Sequence, residues 1–197
     1  MKYLFIDTSA DNLIIAIIDD DKIIYYSNIS NGKDTSSKVM PVLDEAFKKT
    51  GLNVKDIDKM FVVNGPGSFT GIRVGVTIAK TIGFCLNIPI IPISELELLA
   101  TTSTDTTYNV SLIDARRGYV YGAIYDKNLD FFVKESHVLL EQLKKKYPNS
   151  YTIITSSNAK IDLLKVIKKH KNDEPIHPHE LKPNYLKKTE AEENLNG

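Results

Sequence analysis

The 197-residue chain has a single cysteine, no excess of either charge and no unbroken apolar run of membrane length. Each absence closes off a class of protein. A lone Cys85 excludes an internal disulfide, argues against a cysteine-ligated metal and points to a cytoplasmic setting. Lys plus Arg and Asp plus Glu both number 25, so no net field draws the chain to nucleic acid. No apolar run approaches the roughly 20 residues of a membrane span, and Met1-Lys2 leads straight into a strand-like segment, not into a signal peptide. The expectation is a soluble protein without a membrane partner. Familiar site motifs are missing as well: there is no Walker A loop, no GxGxxG turn and no HExxH pair. Asp19-Asp20-Asp21 lacks the Gly and later Glu of a calcium loop and reads as a solvated hairpin tip.

The most informative stretch is residues 62–75, Val-Val-Asn-Gly-Pro-Gly-Ser-Phe-Thr-Gly-Ile-Arg-Val-Gly. An apolar strand empties into Gly65-Pro66-Gly67, and Ser68 is a good N-cap for the helix that follows. Two readings stay open for that layout: an anion site at a helix N-terminus, or a tight turn with a good cap. The helix expected over residues 70–87 carries no Asp, Glu or His and only Cys85, so it supplies no acid, base or metal pair. Ile72, Val76, Ala79 and Gly83 share one face; Gly71, Val74, Gly75, Ile78 and Ile82 share the next; Thr70, Arg73, Thr77, Lys80 and Thr81 form a polar strip. A helix so widely apolar is buried on two sides or covered by a partner, and Gly71 and Gly75 would let another helix come close.

Strands are expected at residues 3–6, 13–18 and 23–29. A helix over 35–50 follows, capped by Thr35-Ser36-Ser37, with Val39, Val42, Leu43, Ala46 and Phe47 as its apolar stripe and Gly51 ending it. The strand at 60–63, the second helix, a strand at 88–93 and a helix at 94–100 complete this part. The polar run 101–107 reads as a domain boundary. Beyond it come strands at 109–116, 119–125 and 131–135, a helix at 139–147, a strand at 152–155 and a helix at 159–169. The order βββαβα thus occurs twice, each copy opening with a strand that delivers an aspartate, Asp7 or Asp114, to a turn. This predicts an α/β fold of two related halves, 1–100 and 101–197, facing each other across a cleft. The second half is shortened and ends in a polar tail. The basic clusters Lys144–Lys146, residues 168–171 and Lys187-Lys188 read as solvated faces, with RNA contact as the rival reading. His177-Pro178-His179 is spaced too closely for two ligands on one helix face.

A first strand ending in Ile-Asp-Thr-Ser, the run Gly-Pro-Gly-Ser-Phe-Thr-Gly-Ile-Arg-Val-Gly, the later Ile-Asp-Ala-Arg-Arg-Gly-Tyr-Val-Tyr and a final Pro-Asn-Tyr-Leu together resemble the bacterial TsaB (YeaZ) family over nearly the whole chain. The resemblance implies an actin/Hsp70-like fold and a non-catalytic subunit in the making of threonylcarbamoyladenosine on tRNA. In that family the related TsaD subunit, with a metal on an HxxxH pair, transfers the threonylcarbamoyl group. TsaB binds TsaD through its first-half helices, the ATPase TsaE joins them, and tRNA is reached only through the complex. HxxxH occurs nowhere in this sequence, so no catalytic or metal-ligating residue is assigned.

The implied partner surface, which would serve a homodimer when the chain is alone, comprises Val39, Leu43, Phe47, Thr70, Arg73, Val74, Thr77, Ile78, Lys80 and Thr81. Val39, Leu43, Val74 and Ile78 are its anchors. Asp7, Thr8, Ser9, Gly65, Gly67, Ser68 and Asp114 form a remnant nucleotide site. No cofactor is expected in the isolated protein, and ATP or ADP with magnesium is the candidate in the assembled complex. The competing reading is an ATPase or phosphotransferase using Asp7 and Asp114 with magnesium; against it, each aspartate also suits a plain turn cap.

Overall fold

Strands β1 (Lys2–Asp7) and β2 (Asn12–Asp19) are apolar at nearly every central position, which suits strands covered on both faces. They form the middle of a five-stranded sheet with β3 (Lys22–Ser30), β4 (Lys59–Gly65) and β5 (Ile90–Ser94), in the order β3-β2-β1-β4-β5. β1 runs antiparallel to β2 and parallel to β4. The computed structural model describes residues 1–30 and 35–187, apart from the side chain of Thr35. The cap expected at Thr35 and the Lys188 half of the last basic pair lie outside them. Helices α1 (Thr35–Thr50) and α2 (Phe69–Leu86) pack on the sheet, where Val39, Leu43, Ala46, Ile72, Val76 and Ala79 meet Leu4, Ile6, Ile15, Met60 and Val62. At the β2–β3 tip Asp20 holds the N-terminal ammonium and Asp21 pairs with Lys171, as a charged hairpin does.

A second sheet follows α3 (Glu95–Ala100). It contains β6 (Tyr108–Asp114), β7 (Tyr119–Asp126), β8 (Phe131–Leu139) and β9 (Tyr151–Ile154), with α4 (Leu140–Lys144) before β9 and α5 (Leu163–His170) after it. Its order, β8-β7-β6-β9, repeats β3-β2-β1-β4 strand for strand. β6 is antiparallel to β7 and parallel to β9, just as β1 is to β2 and β4. This is a duplicated α/β architecture, as the repeated strand and helix order predicts.

The chain divides at Glu95 and not after residue 100, and the last helix leaves the second half. One unit is Met1–Glu95 with Asp162–Pro183; the other takes residues 96–161 and the described chain from Asn184. The tail joins the first unit through specific contacts. Lys59 Nζ donates to Lys171 O at 2.8 Å, Ile176 N donates to Ile90 O at 2.9 Å, and Leu181 enters the first core. Nor does the division fall in the polar run 101–107. Thr101 and Thr102 are buried, and Asn109 Nδ2 donates to Ala100 O and Thr102 O at 2.9 and 2.8 Å, so the run folds back onto β6. The helix expected over 139–147 shortens to α4 because β8 continues to Leu139 and Leu140 N donates to Gly118 O. By length and composition α2 also passes as a membrane span, contrary to the expectation that no segment would; its Ile72, Val76 and Ala79 lie in the core.

Asn109→Ala removes the donor that satisfies two carbonyls, at an expected cost of about 1–3 kcal/mol. Thermal denaturation followed by circular dichroism should show a Tm lower by about 2–4 °C for each kcal/mol, and an unchanged Tm would mean that the polar run folds without it.

Candidate functional site

Asp7 ends β1, and Thr8 and Ser9 continue the chain directly onto the glycine turn. After Gly65 the peptide to Pro66 is cis, and Ser68 then caps α2, its hydroxyl accepting from Gly71 N at 3.2 Å as expected of a serine N-cap. Ser68 N donates to Ser9 O at 2.7 Å, and Thr8 Oγ1 donates to Gly71 O at 2.6 Å. The glycines make this approach possible. A Cβ at Gly67 would lie 2.3 Å from Ser9 O, one at Gly71 2.0 Å from Thr8 O, and one at Gly75 2.4 Å from Thr8 Oγ1. Gly71 and Gly75 therefore admit the chain's own β1 turn and not another helix, which corrects the expectation drawn from their size.

Beneath that turn lie two buried carboxyls. Asp7 is 1% exposed and Glu95, at the start of α3, 3%. Ser9 N and Ser9 Oγ both lie within hydrogen-bond distance of Asp7 Oδ1, at 2.7 and 2.8 Å, and Ser9 Oγ is also 3.3 Å from Glu95 Oε2. One hydroxyl proton cannot serve both acids, and Asp7 Oδ2 is buried with no donor on it. Burial pushes Asp7 up to about 6, with the Ser9 hydrogen bonds pulling the other way. Burial first, and then the charge of Asp7, holds Glu95 well above the usual carboxylate range. Glu95 is thus the carboxyl that keeps its proton, and a protonated Glu95 is the donor that Asp7 otherwise lacks. The sequence signal for it was available but silent: a glutamate opening an apolar helix reads as a surface residue.

The family resemblance implies ATP or ADP with magnesium in the assembled complex, and the residues at this turn do not fit that group. Asp7 is sealed beneath the turn, whereas a magnesium ligand must be reachable. The space that Gly67, Gly71 and Gly75 leave open is filled by Thr8 and Ser9, so the turn offers no phosphate cradle. Asp114 behaves differently. It is exposed at the end of β6, and its Oδ1 accepts from Arg116 N at 2.8 Å, the geometry of a turn cap. His177 likewise caps a short turn, accepting from His179 N at 3.2 Å.

The expected partner residues separate into groups. Val39 and Leu43 are buried in the chain's own core and cannot anchor a partner, because the apolar stripe of α1 faces the sheet. Phe47, Val74 and Ile78 are half-buried against that same core. Thr70, Arg73, Thr77 and Thr81 are exposed along α2, and Lys80 is turned to His179 O at 3.3 Å. Three large side chains were missed: Met40 on α1 is 58% exposed, and Phe69 and Phe84 on α2 are 55% and 61% exposed. The spacing of the polar strip would have found the two phenylalanines, since Phe69 lies four residues before Arg73 and Phe84 three after Thr81. Arg73 sits over the Phe69 ring at 3.9 Å, and the Phe84 ring lies 4.8 Å from His179.

Two outcomes follow from the packed turn. Gly71→Ala forces backbone apart and should cost about 1–3 kcal/mol as an overpacked contact, visible as a lowered urea midpoint; an unchanged midpoint would show that the turn can yield. Because the folded carboxyls hold protons that the unfolded chain releases at ordinary carboxyl pKa, stability from this pair is highest at acid pH and falls as pH rises through the Asp7 value near 6 and beyond. Glu95→Gln should flatten that decline in melts taken between about pH 5 and about pH 8. A variant with the wild-type pH slope would place the proton elsewhere.

A family model described as TsaD, tRNA N6-adenosine threonylcarbamoyltransferase, matches residues 30–175. The tRNA threonylcarbamoyladenosine biosynthesis protein TsaB of Bacillus subtilis is 38% identical over 154 residues, covering 74% of this chain and 67% of that protein. The protein of the same name from Escherichia coli is 29% identical over 131 residues, covering 65% of this chain and 56% of that protein. The chain spans roughly half to two thirds of the length of these curated relatives. Among solved structures, YeaZ from Pseudomonas aeruginosa superposes with a TM-score of 0.77 at 17% identity, over 94% of this chain and 99% of that one, a likeness of fold. The chain belongs to the TsaB (YeaZ) family.

Proposed function

We propose that this chain is a non-catalytic subunit in the biosynthesis of tRNA threonylcarbamoyladenosine, and that it works by docking a TsaD-type transferase on the outer side of α2 and the adjoining part of α1. The observation that carries the reading is a long apolar helix with only one face in the core. Ile72, Val76 and Ala79 are buried, while Phe69 and Phe84 stand more than half exposed near its ends, with Thr70, Arg73, Thr77 and Thr81 between them. The relatives' names and the family model that this chain itself matches support the pathway, and the TsaD-type partner rests on the family resemblance. The sealed Asp7–Glu95 pair supports a role without chemistry at the glycine turn, so any ATP or ADP in the assembled complex is bound by groups other than these. TsaE joins the pair of subunits, tRNA is reached through the complex in the cytoplasm, and without a transferase two copies of the chain cover each other's α2.

Thr77→Arg with Thr81→Arg places two charges at the middle of the docking face without touching the core. A specific interface on the order of 1,200–2,000 Å² loses affinity steeply when its centre is charged. The expected result is a dissociation constant for the TsaD-type subunit raised at least about tenfold, equivalent to about 1.4 kcal/mol, with an unchanged melting curve. Titration calorimetry with the same organism's TsaD reads it, and wild-type affinity in the double variant would move the interface off α2.

A further inference from the structure

The β6–β7 connection is Ala115-Arg116-Arg117-Gly118, closed by Ala115 N donating to Tyr119 O and Tyr119 N donating to Arg116 O, both at 3.0 Å. Arg116 and Arg117 both adopt left-handed backbone, φ 66° and 53°, with Gly118 at 79°. Asparagine or glycine is the usual occupant of such positions, and two consecutive arginines accept a conformational cost there. Both are exposed, and neither guanidinium has an ion pair among the described residues. The one acid of the turn, Asp114, spends an oxygen on Arg116 N.

Beside the arginines the sheet presents rings. Tyr119, 38% exposed, stacks on His137 with centroids 4.9 Å apart and planes 11° from parallel. Tyr121, directly across from His137 in the strand register, adds a third ring at 5.3 Å. A guanidinium pair is suited to phosphate, and a flat ring held by its neighbours is suited to a stacked base. An acidic peptide would use the charges but leave the ring face idle.

We propose that the Arg116-Arg117 turn and the Tyr119–His137 stack form a contact site for single-stranded RNA, phosphates lying on the two guanidiniums and a base on the Tyr119 ring. This site belongs to the second sheet and shares no residue with α2, so the proposal does not depend on which partner covers that helix. It assigns to this chain a direct RNA contact that the docking role does not require.

The test is fluorescence anisotropy of a short labelled single-stranded RNA of mixed sequence with the full chain, from about 50 to about 250 mM salt, beside a labelled polyglutamate peptide. Wild type should bind the RNA with affinity falling as salt rises. Arg116→Asn with Arg117→Asn keeps residues that tolerate left-handed backbone, so the turn is preserved, and should make the log–log salt slope shallower by about 1.4, from two phosphates at about 0.7 each. Tyr119→Ala should weaken binding about tenfold with the slope unchanged. No binding by wild type at the lowest salt, or a wild-type slope in the double variant, overturns the proposal. Equal binding of polyglutamate together with no effect of Tyr119→Ala also overturns it, and makes the turn a site for acidic protein.

Discussion

A backbone-to-backbone approach between the turn after β1 and the first two turns of α2 governs the first unit. β1 is the central strand of its sheet, with β2 on one side and β4 on the other, so the position of its end fixes everything paired to it. α2 can lie there only because residues 67, 71 and 75 have no side chain, and Thr8 and Ser9 then bind the helix through Thr8 Oγ1 and Ser9 O. Interiors are close-packed, so a single added methyl group cannot be absorbed where its neighbour is a carbonyl oxygen. The glycine run in the sequence is therefore a packing motif, although its local pattern is that of an anion site.

The buried acids follow from the same contact. Bringing Ser9 against Ser68 leaves Asp7 covered, and a covered carboxylate needs either donors or a proton. Ser9 gives donors to one oxygen of Asp7, and the other oxygen has none unless Glu95 is protonated. With a proton on Glu95 the pair is satisfied internally and lies sealed beneath the turn. What would be the cation-binding end of the strand in a nucleotide hydrolase is here an internal clasp.

Much of this was legible beforehand. The duplicated βββαβα order, the Ser68 cap and the strand-ending aspartates could be read because periodicity and turn chemistry are local. What was not legible depended on tertiary placement. Residues 162–183 return to the first unit because Lys59, Ile90 and the first core receive them, and nothing local to the last helix announces that. The polar run 101–107 imitates a domain boundary because the Thr102 carbonyl and the Thr104 hydroxyl are satisfied by Asn109, a residue beyond its end. Val39 and Leu43 resemble partner anchors in sequence because an amphipathic stripe shows that a face is covered without showing by what. Glu95 escaped notice because a buried acid looks no different in sequence from a solvated one.

The outer side of α2 is suited to binding by more than its hydrophobicity. Phe69 and Phe84 are fifteen residues apart, roughly 22 Å along the axis at about 1.5 Å per residue, and a standard interface of roughly 800 Å² per partner is about 30 Å across. The two rings therefore bracket a patch of the right size, neither crowded together nor beyond one partner's reach. Each is also restrained before any partner arrives, Phe69 under the Arg73 guanidinium and Phe84 beside His179. A side chain already confined loses less entropy on association, a saving of about 0.5–1.5 kcal/mol for each one that would otherwise have to be immobilised. The short tail turn at Pro178–Glu180 thus has two roles in the first unit: Leu181, just after it, closes the core beneath α2, and His179 steadies the exposed ring above it.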